Sequence, residues 1–133
     1  MKQKVLHTVL ATALCAGSVV MAQDADIGQR TYEQYCATCH GMDGSGGGPL
    51  TEIMTASVPD LTGLAAAHEG QFPMLDVIHI IDGRTGLRAH GGPMPVYGAL
   101  FDEESHSGTE YGDVLYTRGK VLSIAYYLES IQK

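Results

Sequence analysis

Three cysteines are all that this 133-residue chain contains. One lies at position 15; the other two are Cys36 and Cys39. No second Cys pair exists, so a closed four-ligand zinc site has too few donors. No βαβ pattern surrounds the pair, so a thioredoxin-type dithiol lacks its context. Basic residues are scarce: eight Lys and Arg face fifteen Asp and Glu, for a net charge of −7. A chain of that sign does not track a phosphate backbone, which excludes nucleic acid as a partner. Two tempting motifs fail. The glycine-rich stretch Gly41–Leu50 lacks a Gly-Lys-Ser/Thr ending and has no strand before it, so it is no phosphate cradle. His68-Glu69 is followed by Phe72 where a zinc-protease helix needs histidine.

The N-terminal stretch has Lys2 and Lys4 ahead of an apolar run from about Val5 to Val20, then Val20-Met21-Ala22. This is the layout of a secretory signal with a small-x-small cleavage site. His7, Thr8, Thr12 and Ser18 interrupt the run and Gln23-Asp24 follows it, which argues against a retained membrane span. A lipid anchor at Cys15 is disfavoured by Leu14, where a small residue is wanted. The expected organisation is a cleaved signal over 1–22 and one domain over 23–133. Cleavage removes two lysines and takes the net charge from −7 to −9. It also removes Cys15, leaving no pair for a structural disulfide once Cys36 and Cys39 are otherwise engaged.

Those two cysteines stand in Cys36-Ala37-Thr38-Cys39-His40. Two thiols three apart with histidine next is the pattern for covalent attachment of a c-type haem. The thiols add to the vinyl groups, and the adjacent imidazole supplies one axial ligand of the iron. A domain of about 110 residues is workable by burial alone, and an attached macrocycle adds apolar core.

Asp26 to Cys36 reads as a short helix, capped by Asp24 or Asp26. Gly28, Tyr32 and Cys36 share one face. A glycine inside a helix is costly, so a close backbone approach is expected at Gly28. The loop that follows lets the chain wrap near something flat, and the Pro49 carbonyl can accept a proton from the His40 ring. Thr62 to His68 reads as a helical turn. Phe72 to Asp82 reads as a helix, with Pro73 in its first turn, Met74, Val77, Ile78 and Ile81 on its stripe, and Gly83 as its stop. His79 lies off the stripe. Arg84 to Gly98 is aperiodic and rich in Gly and Pro, the kind of long loop that carries function. Phe101 to Tyr111 reads as a solvated acidic loop; a metal site from His106 and its carboxylates is weighed there and set aside. Asp113 to Ile131 is the longest helix, with Val114, Val121, Ile124, Leu128 and Ile131 on one face beside Tyr127. Gly119 marks either a close crossing or the start of that helix, whose expected partner is the first helix.

One histidine leaves the sixth iron position to be filled. Met42, Met54, Met74, Met94, His68, His79, His90 and His106 are the candidates. Met42 is too near the haem motif to cross to the other face, and Met74 belongs to the core stripe. Met94, held between Pro93 and Pro95, has no stripe to belong to and is the expected ligand.

Gly28-x3-Tyr32-x3-Cys36-x2-Cys39-His40-Gly41, then Gly48-Pro49-Leu50, Met94-Pro95 and Ile124-x2-Tyr127-Leu128-x2-Ile131 together resemble the class I monohaem cytochromes c. Phe72-Pro73, Ile81-Asp82-Gly83-Arg84, Ala89-His90-Gly91 and Met94-Pro95-Val96-Tyr97-Gly98 resemble a branch of small exported alphaproteobacterial cytochromes, where the position of Tyr97 is commonly Trp. The resemblance implies an all-α cytochrome c fold, its N- and C-terminal helices crossing beside the haem and its long loops rich in Gly and Pro. It implies His40 and Met94 as axial ligands, the Pro49 carbonyl on His40, and Arg84 and Tyr97 on a haem propionate.

The leading expectation is a periplasmic one-electron carrier, not an enzyme, that meets basic redox partners through its acidity and passes electrons near Cys36 and Cys39. A gas-sensing or peroxidase-like protein would need an open sixth position, with His90 as a distal group. A dedicated electron-transfer subunit of a periplasmic dehydrogenase is the third reading.

Overall fold

In a computed structural model, residues 20–83 and 93–133 are described. The first nineteen residues of the expected signal, Arg84 and His90 lie outside them. Among the described residues five α-helices follow one another: α1 Val20–Tyr35, α2 Ala37–His40, α3 Met74–Asp82, α4 Tyr97–Glu104 and α5 Glu110–Ser130. Two short 3-10 turns, Pro49–Ile53 and Ala66–His68, punctuate the long connection between α2 and α3. There is no strand among the described residues.

The first and last long helices pack together, and the reason is local to Gly28. A Cβ there would collide with the backbone carbonyl of Ser123 and come within 3.0 Å of Tyr127 Cβ. The glycine lets α5 lie directly on α1. One turn further along, Tyr32 is fully buried, its ring centroid 5.1 Å from that of Tyr127 at a tilt of 47°. Ile124 and Ala125 fill the seam without exposure. Each large buried side chain of this kind contributes roughly 1.5–3 kcal/mol through area removed from water. The inner face of α5 is Thr117, Val121, Ile124, Ala125, Tyr127 and Leu128. Val114, expected on it, is exposed.

Several boundaries differ from the sequence reading. Helix α1 begins at Val20, because nothing from Val20 to Asp26 breaks a helix. Asp26 therefore sits inside it and pairs with Arg30 one turn on instead of capping. Pro73 lies just before α3 and not in its first turn. Gly83 does stop that helix, with a left-handed φ of 85°.

The stretch expected to be solvated loop from Phe101 is helical as far as Glu104, and the Gly/Pro loop before it ends at Val96. Tyr97 and Phe101 fall four apart on one face and both are buried, Phe101 completely. Packing against α1 and α5 overrides the weak local propensity of Gly98 and the acids. Only Ser105–Thr109 remains as a loop, and Asp113 closes it by accepting from Ser105 Oγ at 2.5 Å, Ser107 Oγ at 2.8 Å and Ser107 N–H at 3.1 Å. Thr109 then caps α5 by accepting the Gly112 N–H at 3.1 Å, so that helix starts at Glu110 and not at Asp113.

Gly119 is neither crossing nor start: it lies in the middle of α5, with open space where its Cβ would be. The two glycines should respond oppositely to alanine. Gly28→Ala is expected to destabilise by about 1–3 kcal/mol through overpacking, and Gly119→Ala to stabilise by about 0.5–1 kcal/mol through helix propensity. Urea unfolding of the haem-loaded protein checks both signs.

Candidate haem site

Helix α1 stops at Tyr35 because the chain bends at Cys36, with φ −113° and ψ −35°, before one further turn, α2. The bend places Cys36 on the buried side, 7% exposed, and leaves Cys39 and His40 half-buried. The two thiols are not joined to each other. Burial pushes the Cys36 thiol up to about 12, with neighbouring Cys39 a second cause.

The glycine-rich loop wraps α2 as its composition suggests. Gly46 N–H donates to His40 O at 2.8 Å and Gly48 N–H to Cys39 O at 3.0 Å, satisfying carbonyls at the end of the short helix. A Cβ on Gly48 would strike the carbonyl oxygens of both Ala37 and Thr38. From the other side, Tyr32 donates its hydroxyl to Gly41 O at 2.7 Å. Burial raises the Tyr32 phenol well above its ordinary value, so it stays a donor.

The carbonyl facing the His40 ring is not that of Pro49. His40 Nδ1 lies 3.4 Å from Pro59 O. Pro49 is exposed and opens a 3-10 turn, because the preceding glycines fold back on α2. The chain returns toward His40 only at Ser57–Asp60. That return is pinned by Leu61 N–H on Gly44 O at 2.8 Å, and by Asp60 accepting from Thr62 Oγ and N–H at 2.6 and 2.8 Å. The sequence signal for Pro59 is Pro59-Asp60-x-Thr62, a proline followed by an Asx turn.

Beside Cys39 opens a cavity of about 190 Å³ lined by Cys39, Met54, Ser57, Val58, Pro59, Pro93 and Met94. Met94 is half-buried and packs against the core. Of the other methionine candidates, Met42 is 64% exposed, and Met74 packs against the core as the α3 stripe requires. Met54 lines the same cavity as Met94, from the segment leading to Pro59. Cys39 on this opening, with Cys36 three residues before it and the His40 imidazole next to it, fits a covalently attached haem.

Tyr97, expected on a propionate, is otherwise occupied. It is buried and donates its hydroxyl to Tyr35 O at 2.6 Å. Tyr35 in turn donates its own hydroxyl to the Glu104 carboxylate at 2.8 Å, and Lys120 Nζ reaches Glu104 at 2.7 Å and the Tyr35 hydroxyl at 3.1 Å. The ammonium also lies 4.5 Å from the ring centroids of both Tyr35 and Phe101. Sequence reasoning missed this cluster because Tyr35, Glu104 and Lys120 come from three separate helices.

A family model described as "Cytochrome C oxidase, cbb3-type, subunit III" matches residues 23–108, and the chain belongs to that family. It is a c-type cytochrome, an electron-transfer protein that carries covalently bound haem c. No curated protein and no solved structure matches the chain. Among the described residues, no helix is long and apolar enough to cross a membrane.

The hydrogen bonds from Lys120 and then Tyr35 hold the Glu104 carboxyl below its ordinary value. A depressed carboxylate gives stability that is complete above its unfolded value and lost as pH falls through the folded one. Glu104→Gln is therefore expected to flatten the acid side of the stability profile below about pH 4.5. Urea midpoints measured between neutral pH and pH 3 test this.

Proposed function

We propose that this chain is an exported, periplasmic one-electron carrier whose single haem is bound through Cys36 and Cys39, with His40 and Met94 as the axial ligands. The observation that carries the reading is the placing of Met94 and Cys39 on one cavity, with His40 next in sequence to Cys39. The haem supplies the one-electron redox chemistry. The chain's residues fix its surroundings. Pro59 O orients the His40 ring by accepting from Nδ1–H, the role first assigned to Pro49. Pro93 and Pro95 restrict the segment that carries Met94. A thioether opposite imidazole raises the potential relative to two imidazoles. Export follows from the leader, and cleavage after Ala22 would shorten α1 by its first three residues.

Electron exchange occurs at the opening beside Cys39, whose lining residues carry no charge. The acids Asp102 and Glu103 lie in the last turn of α4, about 8–9 Å along that helix from Tyr97, and Glu110 opens α5. A basic partner is thus drawn by the chain's acidity and meets the haem edge through apolar contact.

The visible spectrum tests the ligation. The oxidised protein is expected to show the weak red band of thioether-bound ferric iron, and the reduced protein to ignore carbon monoxide. Met94→Ala should abolish the band and admit carbon monoxide. A high-spin wild-type spectrum would instead mean an open sixth site and a ligand-binding or catalytic role. Docking is tested separately: stopped-flow transfer to a basic redox partner should slow as salt rises through physiological ionic strength, where the screening length falls to about 8 Å. Rates that stay flat would sink the electrostatic component.

A further inference from the structure

We propose that Tyr97 is a positioning residue for the iron's thioether ligand, its hydroxyl locking the Met94 segment onto the haem-attachment turn. The role rests on the assignment of Met94 to the iron. The bend at Cys36 redirects the Cys39 N–H, which would ordinarily serve Tyr35 O four residues back, to Cys36 O at 3.1 Å. Tyr35 O is left as a helix-terminal carbonyl in a part-buried setting, and the Tyr97 hydroxyl takes it at 2.6 Å.

The two ends of this hydrogen bond are informative. Tyr35 immediately precedes the first haem-bonding cysteine. Tyr97 follows Met94 by three residues, one of them Pro95, whose ring fixes φ. One direct polar contact therefore spans the two segments that grip the haem from different parts of the chain.

The contact is held from all sides. The Tyr35 ring stands edge-on to Tyr97 and Phe101, with centroids 6.2 and 5.0 Å away. The Tyr35 hydroxyl is anchored to Glu104 and Lys120. Val96 sits against Gly83 so closely that a Cβ on the glycine would collide with it. Burial pushes the Tyr97 phenol up to about 12, with Cys36 and Cys39 as further causes, so it remains a donor through the physiological range. A propionate role would require breaking this bond and leaving Tyr35 O without its proton.

The test uses haem-loaded Tyr97→Phe, which keeps the ring and deletes the hydroxyl. Imidazole titrated into the ferric protein competes with the thioether, and its affinity is expected to rise at least tenfold. The alkaline pH at which the red band disappears is expected to fall. Ile124→Val serves as the control: it trims the α1–α5 seam and should lower the unfolding temperature while leaving imidazole affinity within twofold of wild type. The proposal is overturned if Tyr97→Phe also stays within twofold, or if Ile124→Val shifts the affinity as much. A wild-type protein with no red band overturns the Met94 assignment itself, a result read before any variant is compared.

Discussion

Everything in this molecule is arranged around a bend. A c-type attachment site needs two thiols and an imidazole within five residues, and here the helix is interrupted at the first of them, between Tyr35 and Ala37. The chain breaks at Cys36 and starts again, at the expense of helix-end carbonyls in the interior. Each is met by a different part of the sequence: Cys39 and His40 by glycine N–H groups of the following loop, Tyr35 by a phenol more than sixty residues away. Gly41, just past the bend, receives the Tyr32 hydroxyl. Four of the protein's hydrogen bonds thus answer to that one interruption.

The repairs also explain why so few aromatic residues suffice. Tyr32, Tyr35 and Tyr97 each bring a ring to the core and a hydroxyl to a specific oxygen. Phenylalanine would supply the area without the bond. Lys120 extends the principle, because its ammonium is shared between one carboxylate, one phenol and three ring faces. Burial works against its charge, but the hydrogen bonds it donates to Glu104 and Tyr35 more than compensate, so its proton is held above the ordinary range.

Local signals in the sequence were legible where one short stretch contains the whole cause. Cys36-x-x-Cys39-His40 announces haem c without any structure, and the family match agrees. The stripe of α3 and its Gly83 stop are equally self-contained. Gly28 announced a close approach because a glycine in a helix asks for a reason, and Ser123 provides it. What could not be read depends on which segments meet. Pro49 and Pro59 both offer carbonyls after a flexible loop, and only the fold-back of Gly46 and Gly48 decides between them. Helix α4 was hidden because Gly98 and the acids Asp102, Glu103 and Glu104 look like loop until Phe101 is seen to be buried. The hydroxyl of Tyr97 carried no local sign of its acceptor.

At the crossing of the two long helices, Gly28 lies closest to a peptide oxygen, that of Ser123, with Tyr127 Cβ next to it. A main-chain oxygen is present whatever residue occupies position 123, so the two sides of this contact are under unequal constraint over evolutionary time. At position 123 the contact depends on the α5 backbone, not on the identity of the side chain. The α1 side is held to the single amino acid without a Cβ. Lineages of this protein can thus diversify the outer half of their longest helix while the geometry of the haem-bearing half stays fixed.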